Sequence, residues 1–277
     1  MAELLGEVAN VTVATNHRYV WRGVKNADYT LHSTLARRLA GSGLAVTADS
    51  LRAHERDLIR RAQDSRFWAG LAEAELLALL QHAGAATSLL DVTPDPFVGL
   101  FFATEPIGDL TPCALIAIRV PGATPSAQAA HTYKGPFADA DPDERRSVYE
   151  RLREELALPD DTTDPLLWEA PFLDDRMRAQ RGMFLATTAP VTAVEYGSFD
   201  LRLESRLDET TKVSHLIGRD RGRYHRPSVV VFYIPAALRR QVADELDLRF
   251  GYRTETIYPD AAGFALANGP TAPLAKR

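Results

Sequence analysis

Cysteine is almost absent, since Cys113 is the only one in 277 residues. That excludes an internal disulfide and any cysteine-based zinc site, and it suits a reducing cytoplasm. An excess of positive charge is missing too. Lys and Arg total 32 against 37 Asp and Glu, a formal net charge of −5, so there is no global basic field. Nucleic-acid contact would need a local patch. Apolar runs such as Val229 to Ile234 are far too short to span a bilayer, so no membrane association is expected. The start "MAELLGEVAN" carries acidic residues where a signal peptide needs Lys or Arg. The expectation is a cytoplasmic, soluble chain. HExxH and comparable histidine spacings are also lacking, and no metal is expected. The acidic run "DADPDERRSVYE" puts Asp139, Asp141, Asp143 and Glu150 at calcium-loop spacing, but Glu144 stands where that loop needs glycine. Pro142 starting a charged helix explains the run better.

What is present is an ordinary globular balance, 45% hydrophobic and 25% charged. Residues 10–24 read as a strand. Ser50 caps a helix running to about Gln63, with Leu51, Leu58, Ile59 and Ala62 at helical spacing. "LAEAELLALLQHAG" reads as a helix stopped by Gly84. "ATSLLDV" is extended, and Thr93-Pro94 offers an N-cap and N1 proline for a buried apolar helix to about Thr104. "ALIAIRV" (114–120) and "SVVVFYI" (228–234) are core strands. A charged helix is expected over 143–156, a strand from Gly182 to Thr187, a helix over 236–247 and a short strand at "TETIYP". No repeat or long linker divides the chain. The expected fold is a single α+β domain over 1–265, a mixed or antiparallel sheet core with flanking helices, and a loose tail at 266–277.

Several residues carry candidate chemistry. In "YVWRGVKN", strand alternation puts Val20, Arg22 and Val24 on one face, so the guanidinium needs either a core partner or a ligand. Asp91, between Leu90 and Val92, reads as at least partly buried and also needs a cation or several donors. The two can form an architectural ion pair or line a polar pocket. Thr93 is a helix cap before it is a phosphate ligand, because Pro94 and Pro96 remove backbone donors. His82 at a helix end can simply meet the helix dipole. In "DDRMRAQRGMFLATT", Arg176 and Gln180 fall on one face of a helical turn, and Gly182 lets the chain turn into a strand carrying Phe184. "GRDRGRYHR" interleaves Arg219, Arg221, Arg223 and Arg226 with Tyr224 and His225. That pattern suits phosphates and bases, or a solvated loop.

Taken together, these motifs resemble the FRG domain family. They are Trp21-Arg22-Gly23, then Gln81, His82, Gly84, Thr87, Leu90, Asp91 and Thr93, then Arg176, Gln180, Gly182 and Phe184. "YTLHSTLARR" (29–38) is similar to the family's leucine-proline-serine-leucine segment, with Ser33 where proline is usual. Ser88 stands where the family usually has arginine, and Val92 where it usually has tryptophan.

The aromatic-Arg-Gly strand in turn resembles the arginine strand of NAD-consuming ADP-ribosyltransferases. The resemblance implies a fold of that kind, with NAD as substrate. It implies Arg22, Thr87 and Gln180 as catalytic residues, and Arg22, Gly23, His82, Thr87, Asp91 and Thr93 as NAD contacts. Glu169 or Glu195 is the open choice for an acid. The expected function is an NAD-dependent ADP-ribosyltransferase-like enzyme modifying nucleic acid (DNA), as a toxin or phage-defence effector. Arg219, Arg221, Arg223, Tyr224 and Arg226 would be its nucleic-acid contacts. The alternative is a non-catalytic module that binds a nucleotide or a partner. A metal-dependent nuclease is disfavoured because no carboxylate cluster has suitable spacing.

Overall fold

The computed structural model describes residues 2–13, 18–29, 31–65, 71–105, 111–120, 132–135, 137, 146–162, 165–171, 174–186 and 229–268. Its elements run in the order α1 (Ala2–Val13), β1 (Tyr19–Val24), α2 (Thr34–Gly41), α3 (Ala48–Gln63), α4 (Glu73–His82), β2 (Leu90–Val92) and α5 (Pro96–Thr104). Then come β3 (Cys113–Arg119), β4 (Thr132–Lys134), α6 (Val148–Glu155), β5 (Leu166–Glu169), α7 (Asp175–Gln180) and β6 (Met183–Ala186). After the undescribed stretch follow β7 (Val229–Ile234), α8 (Ala236–Phe250), α9 (Thr254–Ile257) and α10 (Ala261–Ala267).

The strands form two small sheets, ordered β1-β3-β7 and β2-β6-β5-β4. The first is antiparallel throughout, and the second is antiparallel except for the parallel β4/β5 pair. Strand alternation divides the core accordingly. Val20, Val24, Ile116 and Val231 of the first sheet pack with Leu90, Val92, Leu167 and Leu185 of the second. The far face of the first sheet, with Trp21, Leu115 and Phe232, packs on Val8, Leu100, Val242 and Leu246 from α1, α5 and α8. The far face of the second, with Trp168 and Phe184, packs on Ile59, Leu76, Leu77 and Leu152 from α3, α4 and α6. The layers are therefore helices, sheet, sheet, helices. The α+β class matches expectation, with one antiparallel and one mixed sheet. At the level of the fold, nothing here identifies an ADP-ribosyltransferase.

Several local expectations are corrected. Residues 10–13 belong to α1 and not to a strand, although "ANVTV" is rich in β-branched residues. The α3 cap is Thr47, which forms a reciprocal capping box with Ser50 at the third helical position. The α5 cap is Asp95, whose carboxylate accepts the Phe97 N–H at 2.9 Å, so Thr93 is not a cap. Ser147 caps α6, while the expected start near Pro142 lies outside the described residues. "TETI" is a single helical turn, set by the Thr256 hydroxyl accepting the Arg253 N–H at 3.0 Å.

Gly23 shows why β1 carries glycine. A Cβ there would lie 1.9 Å from the Gly99 carbonyl oxygen and 2.5 Å from Ala103 N, so only glycine lets α5 seat on the strand. The neighbour is helix backbone and cannot rotate away. Gly23→Ala should therefore lower stability by about 3 kcal/mol, the upper end of ordinary overpacking. An unchanged denaturant midpoint would show that α5 shifts without cost.

Candidate functional site

Where the two sheets meet, a cavity of about 350 Å³ is lined by residues of all three sequence motifs. They include Arg22 and Gly23 from β1, Gln81 and His82 from the end of α4, Asp91 and Thr93 from and just after β2, and Arg176 and Gln180 from α7. The sheets are joined at its edge. Trp21 N–H donates to Thr93 O at 2.7 Å, and Thr93 N–H donates to Trp21 O at 2.9 Å.

That pairing brings Arg22 against Asp91. Arg22 Nη1 donates to the Asp91 backbone carbonyl at 2.6 Å and stands 3.7 Å from its Oδ2. The arginine between two valines thus has a protein partner and still faces the cavity. Asp91 is partly buried and paired, as expected, but its side chain keeps 53% exposure because β2 turns this position toward the cavity. A half-solvated carboxylate is not the buried charge whose removal would collapse the fold.

Behind Asp91 lies a buried polar chain. Gln81 Nε2 donates to Asp91 Oδ2 at 2.7 Å, and Thr87 Oγ1 donates to Gln81 Oε1 at 2.6 Å. Thr87 is fully buried and does not line the cavity, so it cannot touch a ligand as a catalytic residue. Thr93 reaches the cavity, but its hydroxyl donates to Gln180 O at 2.9 Å and accepts the Asp95 N–H at 3.2 Å. Gln180 lines the cavity with its amide donating to Ile257 O at 3.2 Å. His82 Nε2 is buried, stands 3.6 Å from Asp174 Oδ2 and has no hydrogen-bond partner among the described residues. Burial holds its pKa below the usual histidine range despite the Asp174 carboxylate.

The opposite wall is only half legible in the sequence. Arg176, a candidate there, forks onto Asp260 at 2.7 and 3.0 Å with its guanidinium carbon 5.0 Å from the Tyr258 ring centroid. The Asp260 bonds come first in raising its pKa. Lys25, Phe102 and Tyr258 also line the cavity and were missed. The pattern of "TETIYP" suggests a strand at Tyr258, and Lys25 carries no signal beyond lying three residues after Arg22. The tight turn out of α7 is made by Arg181 at φ 49°, not by Gly182. Of the two proposed acids, Glu169 lies away from the cavity, paired with Arg18 at 2.5 Å and Lys134 at 2.9 Å. Burial would raise its pKa, but these cations hold it below the usual value. Glu195, Arg219, Arg221, Arg223, Tyr224 and Arg226 lie outside the described residues.

Residues 17–109 match the family model of the FRG domain. The chain carries an FRG domain over these residues. No curated protein and no solved structure matches the chain. The FRG domain supplies Arg22, Gln81, His82 and Asp91 to the cavity. Arg176, Gln180 and Tyr258 come from sequence beyond the match. No helix among the described residues is long and apolar enough to cross a membrane.

Ser88 donates a hydroxyl hydrogen bond to Glu55 of α3. Glu55 is buried, and desolvation pushes its pKa up to about 7, against the lowering effect of the Ser88 bond. A raised folded pKa means that the protonated form favours the native state. Stability is then full below about pH 4.5 and falls as pH rises through 7, by on the order of 3 kcal/mol. Glu55→Gln should abolish this loss, melting close to the parent at pH 4.5 and above it at pH 8. Parallel melting curves for both proteins across that range would refute the assignment.

Proposed function

We propose that the cavity binds a nucleotide and that the protein is an NAD-dependent ADP-ribosyltransferase-like enzyme. One observation carries the reading: a guanidinium and a half-exposed carboxylate, Arg22 and Asp91, share a single cavity lined by all three motifs. Arginine suits a pyrophosphate because its charge is permanent and its donors fork onto paired oxygens. Asp91 supplies negative charge where an oxocarbenium-like transition state develops positive charge. Phe102 and Tyr258 add aromatic surface for a heterocycle. The volume of about 350 Å³ is at the small end for bound small molecules, ~300–1,000 Å³. It fits the reacting end of a dinucleotide.

In the transfer, nicotinamide leaves with the electron pair of its glycosidic bond. An acceptor oxygen or nitrogen bonds to the same sugar carbon and releases its proton to solvent. The roles change from those the resemblance implied. Asp91 takes the place of Glu169 as the acidic group, and neither Thr87 nor the engaged amide of Gln180 performs a chemical step. Nucleic acid is the acceptor class we favour, on the strength of the arginine-rich segment at 218–226. A second reading, a nucleotide-binding module without catalysis, is favoured by how many motif side chains are already engaged within the fold.

Incubation with NAD and DNA or RNA, with nicotinamide release as readout, separates the two. Arg22→Ala should weaken NAD binding about 10- to 100-fold, the range for hydrogen bonds to charged groups. Asp91→Asn should leave binding within a few-fold and melting unchanged, while slowing release by about 100-fold or more. Binding without release establishes the module, and no binding of NAD overturns the enzyme reading.

If residues 218–226 hold the acceptor, replacing Arg219, Arg221 and Arg223 with alanine should weaken nucleic-acid binding and flatten its salt dependence. Arg22→Ala should leave that slope unchanged. Equal binding by the triple variant at every salt concentration would remove the segment from the interface.

A further inference from the structure

The buried chain behind Asp91 has a fixed polarity. Thr87 Oγ1 accepts the Leu89 N–H at 3.1 Å, so its own hydrogen is directed to Gln81 Oε1 at 2.6 Å. With its oxygen facing Thr87, the Gln81 amide can present only its NH₂ to Asp91 Oδ2, at 2.7 Å. The flipped amide would set oxygen against carboxylate and NH₂ against the donated hydrogen, two repulsive contacts. Thr87 is itself held in place, since its carbonyl accepts the Leu35 N–H at 3.1 Å. Thr87 is sealed from solvent at 0% exposure, and Gln81, at the cavity wall, keeps only 8%, so the Thr87–Gln81 bond that sets the orientation is dry.

The result is a carboxylate with one pinned oxygen and one open oxygen. Asp91 Oδ2 takes the Gln81 bond, while Oδ1 accepts no hydrogen bond among the described residues. Arg22 does not close on the carboxylate, because its Nη1 is directed to the backbone carbonyl and leaves 3.7 Å to Oδ2. A carboxylate oxygen only accepts, so it repels a phosphate, while the nearby guanidinium repels an ammonium group. A neutral hydroxyl satisfies both.

We infer that Thr87 and Gln81 are positioning residues that aim Asp91 Oδ1 at a sugar hydroxyl of the ligand, so that the site selects ribose over deoxyribose at the reacting end. This rests on the nucleotide reading above and specifies which part of the nucleotide the site reads. A site that hydrogen-bonds a hydroxyl discriminates strongly against an analogue lacking it, since its own polar group is left unpaired.

Titration calorimetry with two probes tests the inference: ADP-ribose, and the same molecule lacking the 2-hydroxyl of its terminal ribose. The wild type should prefer ADP-ribose by about tenfold or more. Thr87→Val, nearly isosteric, should cut that preference to within about twofold, while affinity for the deoxy probe stays put. Thr87→Ser, which keeps the hydroxyl, should restore the preference. Gln81→Met gives the same readout from the middle of the chain if Thr87→Val fails to fold. Arg22→Ala should weaken both probes equally and leave the preference intact. A tenfold preference surviving in Thr87→Val or Gln81→Met overturns the relay, as does a wild type that binds both probes equally. A wild type that binds neither overturns the nucleotide reading itself.

Discussion

The pair of backbone hydrogen bonds between Trp21 and Thr93 is the constraint on which the site depends. It joins an inner position of β1 to the residue after β2, and so joins one sheet to the other. The neighbours of that pair, Arg22 and Asp91, are brought together as a consequence. The Thr93 hydroxyl then reaches Gln180 O, which fixes α7 at the same edge. A backbone bond of this kind has no rotamers to search, so the placing of Arg22 against Asp91 is set by the ladder.

Architecture and chemistry divide within each motif. In Trp21-Arg22-Gly23, the tryptophan is buried in the core under α5, and the glycine admits the backbone of α5. Only the arginine faces the other way. In the block from Gln81 to Thr93, Thr87 and Leu90 are buried, while His82 and Asp91 line the cavity. A motif residue is therefore a poor guide to ligand contact by itself, because close packing and polar satisfaction are equally demanding of residue type.

The far wall is held by contacts of long sequence range. Arg176 of α7 forks onto Asp260, and Gln180 reaches Ile257 O at the end of α9. The Tyr258 hydroxyl donates to Glu105, which also pairs with Lys25 at 2.7 Å. The glutamate at the end of α5 thus ties β1 to the C-terminal turn, and the Tyr258 phenol is held protonated, by burial first and then by Glu105. Residues outside the FRG match complete a cavity that the matched residues begin.

Local pattern is enough for the elements that are long and regular: α3, α4, β3 and β7, with apolar faces at helical spacing or nearly continuous apolar runs. It also showed that Arg22 and Asp91 each needed a partner, because charge in an apolar strand context is costly wherever it ends up. It misread α1 and α9, where β-branched residues signal strand but packing and a local cap select helix. Which polar groups meet depends on how distant parts of the chain fold together. Arg22 and Asp91 are 69 residues apart, Thr93 and Gln180 are 87, and local periodicity carries no information over such separations. The same holds for the fates of Thr87 and Asp91, four positions apart in one motif. One is sealed in the core and the other half-exposed to a cavity, because exposure depends on what the rest of the chain lays over each residue.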